Sequence, residues 1–194
     1  MKQLLLICAV VALVGGCGKK EDGNTGVVNP KKPSPKAVHE KLISDPIIEK
    51  AIREELKKPT GELTEADLEK VTGLWLNGNQ LTEVPKGLEK LTQLRDLHLS
   101  DNKLTDVKGL EKLTQLQWLS LYGNQLTDVK GLENLTQLKV LLLAGNQLTD
   151  VKGLEKLTKL KELYLRDNPS LTKAQIDELQ KALPKCKISS NPTK

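Results

Sequence analysis

The sequence predicts an α/β solenoid of about five coils, with one short strand per coil in a parallel sheet. Short 3₁₀ turns on the opposite side and a helical cap at each end complete it. Three observations carry the prediction. The first is periodicity: residues 94–168 repeat every 22 residues. Leu94-Arg95-Asp96-Leu97-His98-Leu99-Ser100-Asp101-Asn102-Lys103-Leu104 returns from Leu116, from Leu138 and from Leu160, and an earlier copy, one residue longer through Pro85, starts at Val71. A unit this short buries its apolar face only by stacking on its neighbours. The second is alternation, as in Leu97-His98-Leu99, which turns two leucines inward and the residue between them outward, as in a strand. The third is the return path, such as residues 104–114, which is too short for a full α-helix and suits 3₁₀ turns.

The first element is a targeting segment, residues 1–16. Lys2 gives a positive start, and residues 4–16 form an apolar run of 13 residues, too short for a membrane span of about 18 or more. It ends Val14-Gly15-Gly16-Cys17, which resembles the lipobox of bacterial lipoproteins, with Val14 in place of the commoner leucine. That resemblance implies cleavage before Cys17 and lipid attached to it. Two or three acyl chains, at about 0.8 kcal/mol per buried methylene, anchor a protein stably. Gly18 after the cysteine favours the outer membrane or cell surface over inner-membrane retention, by resemblance to enterobacterial sorting. Residues 17–38 read as a lipidated tether rich in Pro, Lys, Gly and Asn, with too little apolar surface to fold.

Residues 39–70 read as the N-terminal cap. Asp45 caps a helix with Pro46 at its first position, and Ile47, Ile48, Ala51, Ile52 and Leu56 make its apolar face. Pro59-Thr60-Gly61 is expected to end it. Thr64 and Asp67 are spaced as a capping box for a second short helix. Residues 71–171 are the repeats. Residues 172–194 close the solenoid: Thr172 and Gln175 form another capping box, Ile176, Leu179 and Leu183 an apolar stripe, and 184–190 a final strand with Cys186 and Ile188 inward.

Charge narrows the partners. The net charge is +5, but six of the 30 basic residues and only two of the 25 acidic ones precede residue 39. The repeat domain is therefore nearly neutral and lacks the basic stripe of a nucleic-acid binder. Cys8 leaves with the signal and Cys17 is modified, so Cys186 has no disulfide partner and is expected in the core.

The outward strand positions carry the candidate site. They read Gly73, Trp75, Asn77; Asp96, His98, Ser100; Trp118, Ser120, Tyr122; Val140, Leu142, Ala144; and Glu162, Tyr164, Arg166. All four aromatic residues of the chain fall in this set. Aromatic side chains combine contact area with a polar handle and concentrate at interfaces. Residues 104–114 and 148–158 are identical, whereas the outward positions of the same coils differ completely. Variation within the chain is concentrated on one face, as in a binding surface. The candidate contacts are Trp75, Asp96, His98, Trp118, Tyr122, Glu162, Tyr164 and Arg166.

Other features point to no chemistry. The asparagine column Asn79, Asn102, Asn124, Asn146 and Asn168 is expected to satisfy backbone groups at the turns. Asp106, Asp128 and Asp150 run beside Lys108, Lys130 and Lys152, as in a solvated charge ladder and not a calcium site. Asp96 and His98 share a face, as a polar contact pair, but no nucleophile completes them as a catalytic unit. The chain is expected to be no enzyme and to need no metal or cofactor.

The pattern Leu-x-x-Leu-x-Leu-x-x-Asn-x-Leu, with Leu-Thr-Asp-Val-Lys-Gly-Leu-Glu-Lys-Leu-Thr between strands, resembles the internalin-type, 22-residue leucine-rich repeats of bacteria. The resemblance covers roughly residues 43–190 and implies a curved solenoid whose concave sheet face binds a protein. The expected function is thus an exported, membrane-anchored lipoprotein of the bacterial cell envelope, monomeric, that binds a protein partner through this face. The alternative is an envelope glycan on the same aromatic surface.

Overall fold

The computed structural model describes residues 41–191. The signal-like segment, Cys17 and the tether to residue 38 lie outside the described residues. Helix α1 (Pro46–Glu55) begins where Asp45 accepts hydrogen bonds from the Ile47 and Ile48 amides, satisfying two donors that the first turn leaves open. Its buried face is Ile48 and Ile52, with Ile47, Ala51 and Leu56 packed at the margin. The helix ends four residues before Pro59, not at Pro59-Thr60-Gly61. Lys58 N donates to Arg53 O and Lys57 N to Glu54 O, with Lys57 at φ +51°. This is a Schellman ending, with a lysine in the left-handed position that glycine usually fills. The Arg53 guanidinium then ties down the exit, donating to Lys58 O and Gly61 O.

Helix α2 (Glu65–Leu68) starts on the Thr64–Asp67 capping box. Asp67 also binds Lys58 at 2.6 Å, and that bond holds its carboxyl well below the usual carboxylate range. The chain then enters a six-stranded parallel sheet in sequence order: β1 (Gly73–Trp75), β2 (Asp96–His98), β3 (Trp118–Ser120), β4 (Val140–Leu142), β5 (Glu162–Tyr164) and β6 (Lys187–Ser189). Five strands belong to the repeats. The sixth follows α3 (Lys173–Ala182), which opens on the Thr172–Gln175 capping box. Inward leucines stack in columns: Leu74, Leu97, Leu119, Leu141 and Leu163 are fully buried in register. Cys186 is buried beside them, and Ile188 packs partly against the core.

The return side carries 3₁₀ turns at Leu88–Lys90, Leu132–Asn134 and Leu154–Lys156. Each follows a glycine with φ near +100°, a conformation strained for any L side chain. The glutamate two residues on accepts that glycine's N–H, as Glu133 does from Gly131 at 2.6 Å. Asp106, Asp128 and Asp150 accept from the N–H of Lys108, Lys130 and Lys152, so these carboxylates serve local turns.

The asparagines bind successive coils together. Asn124 Nδ2 donates to Leu99 O of the coil before (3.0 Å) and to Leu121 O of its own (3.1 Å), while its Oδ1 accepts from Leu104 N (3.0 Å). Asn102, Asn146 and Asn168 are buried in the same way. Asn79 departs from the expected column: it is exposed, and its side chain reaches only Asn77 O. It sits in the first coil, and among the described residues no strand precedes β1 to offer a carbonyl to its amide.

Candidate binding face

Parallel register sorts the outward side chains into columns that cross the sheet. One column reads Gly73, Asp96, Trp118, Val140, Glu162, Lys187; the next reads Trp75, His98, Ser120, Leu142, Tyr164, Ser189. Asn77, Ser100, Tyr122, Ala144 and Arg166 continue each coil beyond its strand. Every candidate contact therefore lies on one face. The described residues include three exposed large hydrophobic side chains: Trp75 (55%), Tyr122 (47%) and Trp118 (38%). All three belong to this face, within the first three coils.

Local packing sets the rings. The indole of Trp75 folds back over Gly73, so close that a Cβ there would stand 2.8 Å from the ring. Gly73 is thus a buried floor and not a solvent-facing position, because its side-chain volume is taken by the tryptophan two residues later. The Trp75 ring stacks on His98 at 5.6 Å between centroids and 9° between planes; His98 stacks on Trp118 at 6.3 Å and 29°. These spacings follow the coil repeat of about 4.8 Å. Tyr122 leans toward the next coil, with its ring 3.5 Å from the place a Cβ on Gly145 would take.

Burial lowers the pKa of His98 below its ordinary value, against the opposing pull of the Asp96 carboxylate. The two are not hydrogen-bonded, so Asp96 does not orient the imidazole as a catalytic base would require. Ser120 is buried, contrary to its expected outward exposure. Its hydroxyl meets that of Ser100 at 2.6 Å, between the stacked rings and Tyr122.

The far half of the face is committed internally. Tyr164 donates to Glu162 at 2.6 Å, and that bond raises the phenol pKa. Arg166 Nε donates to Ser189 Oγ at 3.0 Å, and Asn191 pairs with Asp167. The structure thus brings Trp75, Asp96, His98 and Trp118 together, with Tyr122 further along the third coil. It sets Glu162, Tyr164 and Arg166 apart, two coils beyond Trp118. One sequence signal for the ring stack was available: a glycine two residues before an outward tryptophan.

Cys186 is a poor nucleophile, since burial pushes its thiol up to about 11. Among the described residues, no three His, Cys, Asp or Glu side chains are grouped to hold a metal ion. No helix among them is long and apolar enough to cross a membrane.

Known proteins share this architecture. A leucine-rich repeat family model matches residues 69–126, and a second, for two copies of the repeat, matches residues 136–181; together they span more than half of the chain. An internalin from Listeria monocytogenes is similar at 29% identity and a TM-score of 0.68, over 78% of this chain and 44% of that one. A leucine-rich repeat protein of Leptospira interrogans is similar at 36% identity and a TM-score of 0.58, over 66% of this chain and 34% of that one. The functional domain of InlJ from Listeria monocytogenes, at 22% identity and a TM-score of 0.58, covers 79% of this chain and 38% of its own, and shares the fold. The chain spans less than half the length of each of these. Among curated proteins, none matches the sequence. The repeats, the parallel sheet, the family models and the related structures agree that the chain belongs to the leucine-rich repeat proteins, of the bacterial internalin type.

Proposed function

We propose that this chain is a protein-binding scaffold of the bacterial cell envelope, anchored by lipid on Cys17 and engaging its partner through the outer face of the sheet. The observation that carries the reading is the placement of Trp75, Trp118 and Tyr122. They are large and exposed, and they lie together on one face. Rigid aromatic anchors on a stiff sheet hold contact area at little entropic cost, which is how binding hot spots are built. Five repeat strands span about four gaps of 4.8 Å, or roughly 19 Å, enough for a loop, a short helix or an extended segment of the partner. Binding rather than catalysis suits a face with no hydrogen-bonded base and no reactive thiol. A glycan is the other ligand an aromatic face can take. Trp75, His98 and Trp118 stack on one another and form no closed slot among themselves, which favours a protein segment.

The test is site-specific photocrosslinking in cells producing the full chain, with benzoylphenylalanine at position 122 and, separately, at position 130 on the return side. A discrete protein adduct from position 122, absent from 130, is expected. Adducts of equal yield from both positions, or a carbohydrate adduct alone, refute the reading. Metabolic labelling with an alkyne fatty acid tests the anchor, and Cys17→Ser should abolish the label.

A further inference from the structure

Positive charge gathers along the edge where the chain enters each strand. Gln117 N donates to Arg95 O, Lys139 N to Gln117 O, Lys161 N to Lys139 O and Lys187 N to Lys161 O, each at 2.8 Å. These bonds order Arg95, Gln117, Lys139, Lys161 and Lys187 into one row, one coil apart, about 4.8 Å per step. Two residues earlier in each coil, Gln93, Gln115, Gln137, Lys159 and Lys185 make a second row. The six basic residues are exposed, and neither row holds an Asp or a Glu. Lys139 Nζ donates to Gln117 Oε1 at 2.8 Å and Lys159 Nζ to Gln137 Oε1 at 2.7 Å, so neutral amides steady these side chains without cancelling their charge. None of the six is ion-paired among the described residues. The return side differs: there Lys108 pairs with Asp106 and Lys152 with Asp150. The near-neutral charge of the whole domain hides the excess, because its members are spread from residue 95 to residue 187.

The edge borders the proposed binding face. Gln117 and Lys139 directly precede Trp118 and Val140 of the outermost outward column, and Lys187 stands in that column beside Glu162. The carboxylates of the column are Asp96 and Glu162, and Glu162 already accepts the Tyr164 hydroxyl. Six cations thus stand against two carboxylates at one margin of an aromatic surface. We propose that this edge holds an acidic segment of the partner protein, while Trp118 and its neighbours take the adjoining apolar part. This rests on the protein-binding reading above and adds the charge of the segment recognised. Complementary charge at the margin of an interface speeds encounter and fixes register. An anionic membrane is the other surface that lysines can meet. Placement favours the protein. Five of the six cations lie in or beyond the fourth coil, whereas the described chain enters at α1, which packs on β1 at the other end of the sheet. From β1 to β5 is about four gaps of 4.8 Å, or roughly 19 Å, so the lysines do not crowd where a tether would enter.

The first probe is a fluorescein-labelled peptide of about six glutamates spaced by glycine and serine, read by anisotropy against the full chain in neutral detergent at pH 7.5 and low salt. Its control carries glutamine at the same positions. The glutamate peptide is expected to bind roughly fivefold or more tighter than the glutamine peptide. Lys139→Gln, Lys161→Gln and Lys187→Gln combined should weaken the glutamate peptide about fivefold or more. Lys108→Gln, Lys130→Gln and Lys152→Gln combined remove the same charge from the return side, and should change it less than about twofold. Equal losses in the two triple variants, or no preference for glutamate, overturn the proposal. The second measurement is photocrosslinking in cells from position 115 on the edge. The protein adduct obtained from position 122 is expected here too, at a yield that falls in the edge triple variant. An adduct to lipid or nucleic acid alone overturns the proposal. If the edge fails while the adduct from position 122 persists, the face binds a protein by other means; if neither position yields a protein adduct, the protein-binding reading fails as well.

Discussion

Replacing Asn124 by alanine should cost far more than the same change at Asn79, although both occupy the same position of the repeat. Asn124 is buried and donates to Leu99 O and Leu121 O while accepting from Leu104 N. Alanine leaves the buried Leu104 N–H without a partner and strips one of two donors from Leu99 O and from Leu121 O, which keep Asn102 and Asn146. The orphaned amide costs about 1–3 kcal/mol and each lost carbonyl bond about 0.5–1.5, so the total is roughly 2–5 kcal/mol. Asn79 is exposed and bonds only Asn77 O, so its loss should cost under about 0.5 kcal/mol. Urea unfolding of the full chain at pH 7, followed by far-ultraviolet circular dichroism, reads both values by linear extrapolation. A loss of 3 kcal/mol moves the midpoint by about 1 M or more. Asn124→Asp should be at least as damaging at neutral pH, because a carboxylate cannot donate to either carbonyl. If Asn124→Ala stays within about 1 kcal/mol of the native protein, or Asn79→Ala costs as much, the asparagines do not hold the coils together in the way described.

Three further outcomes follow from local geometry. Lys57→Gly should stabilise the N-terminal helix by about 1 kcal/mol, since glycine takes the left-handed position of the Schellman ending without strain; an unchanged or lower urea midpoint contradicts that account. Gly73→Ala should displace the Trp75 ring, changing tryptophan emission, with a small loss of stability because the ring edge is free to swing outward; unchanged emission would place the ring elsewhere. His98 titrates below its ordinary 6.5 in the folded state, so the unfolded chain takes up its proton first. Its contribution is complete above about pH 7 and is lost as pH falls from 6.5 through the lower folded value. Midpoints between pH 7.5 and 5.5 should therefore slope downward less in His98→Gln. Loss from Glu49 and Asp67, held low chiefly by Lys41 and Lys58, belongs to a separate window below about pH 4.5.

Much of the fold was legible because its signals are local or periodic. A 22-residue spacing places leucines in columns whatever the outward residues are. Asp45, Thr64 and Thr172 mark helix starts through bonds that reach only two or three residues. What the sequence concealed depends on neighbours one coil away. Nothing in Asn79 itself marks it as exposed while Asn102 is buried; the difference is that, among the described residues, no strand precedes the first coil. Ser120 looks outward by alternation, yet it is buried, with its hydroxyl against that of Ser100 in the coil before. The Trp75–His98–Trp118 stack depends on register and rotamers across three strands, and only Gly73 hinted at it. The pairing of Tyr164 with Glu162 likewise removes side chains that composition alone offers as contacts.

The central claim is that binding energy resides on the aromatic half of the sheet face. It is tested most directly by titration calorimetry of the full chain against the protein captured from position 122, comparing Trp118→Ala with Lys130→Ala. Both side chains are exposed, one on the sheet face and one on the return side, and circular dichroism checks that both variants are folded. Trp118→Ala should weaken binding by roughly 2 kcal/mol or more, about thirtyfold, as expected of a hot spot. Lys130→Ala should change it by less than about 0.5 kcal/mol. A loss of affinity in Lys130→Ala, with Trp118→Ala binding as the native protein does, would contradict the account.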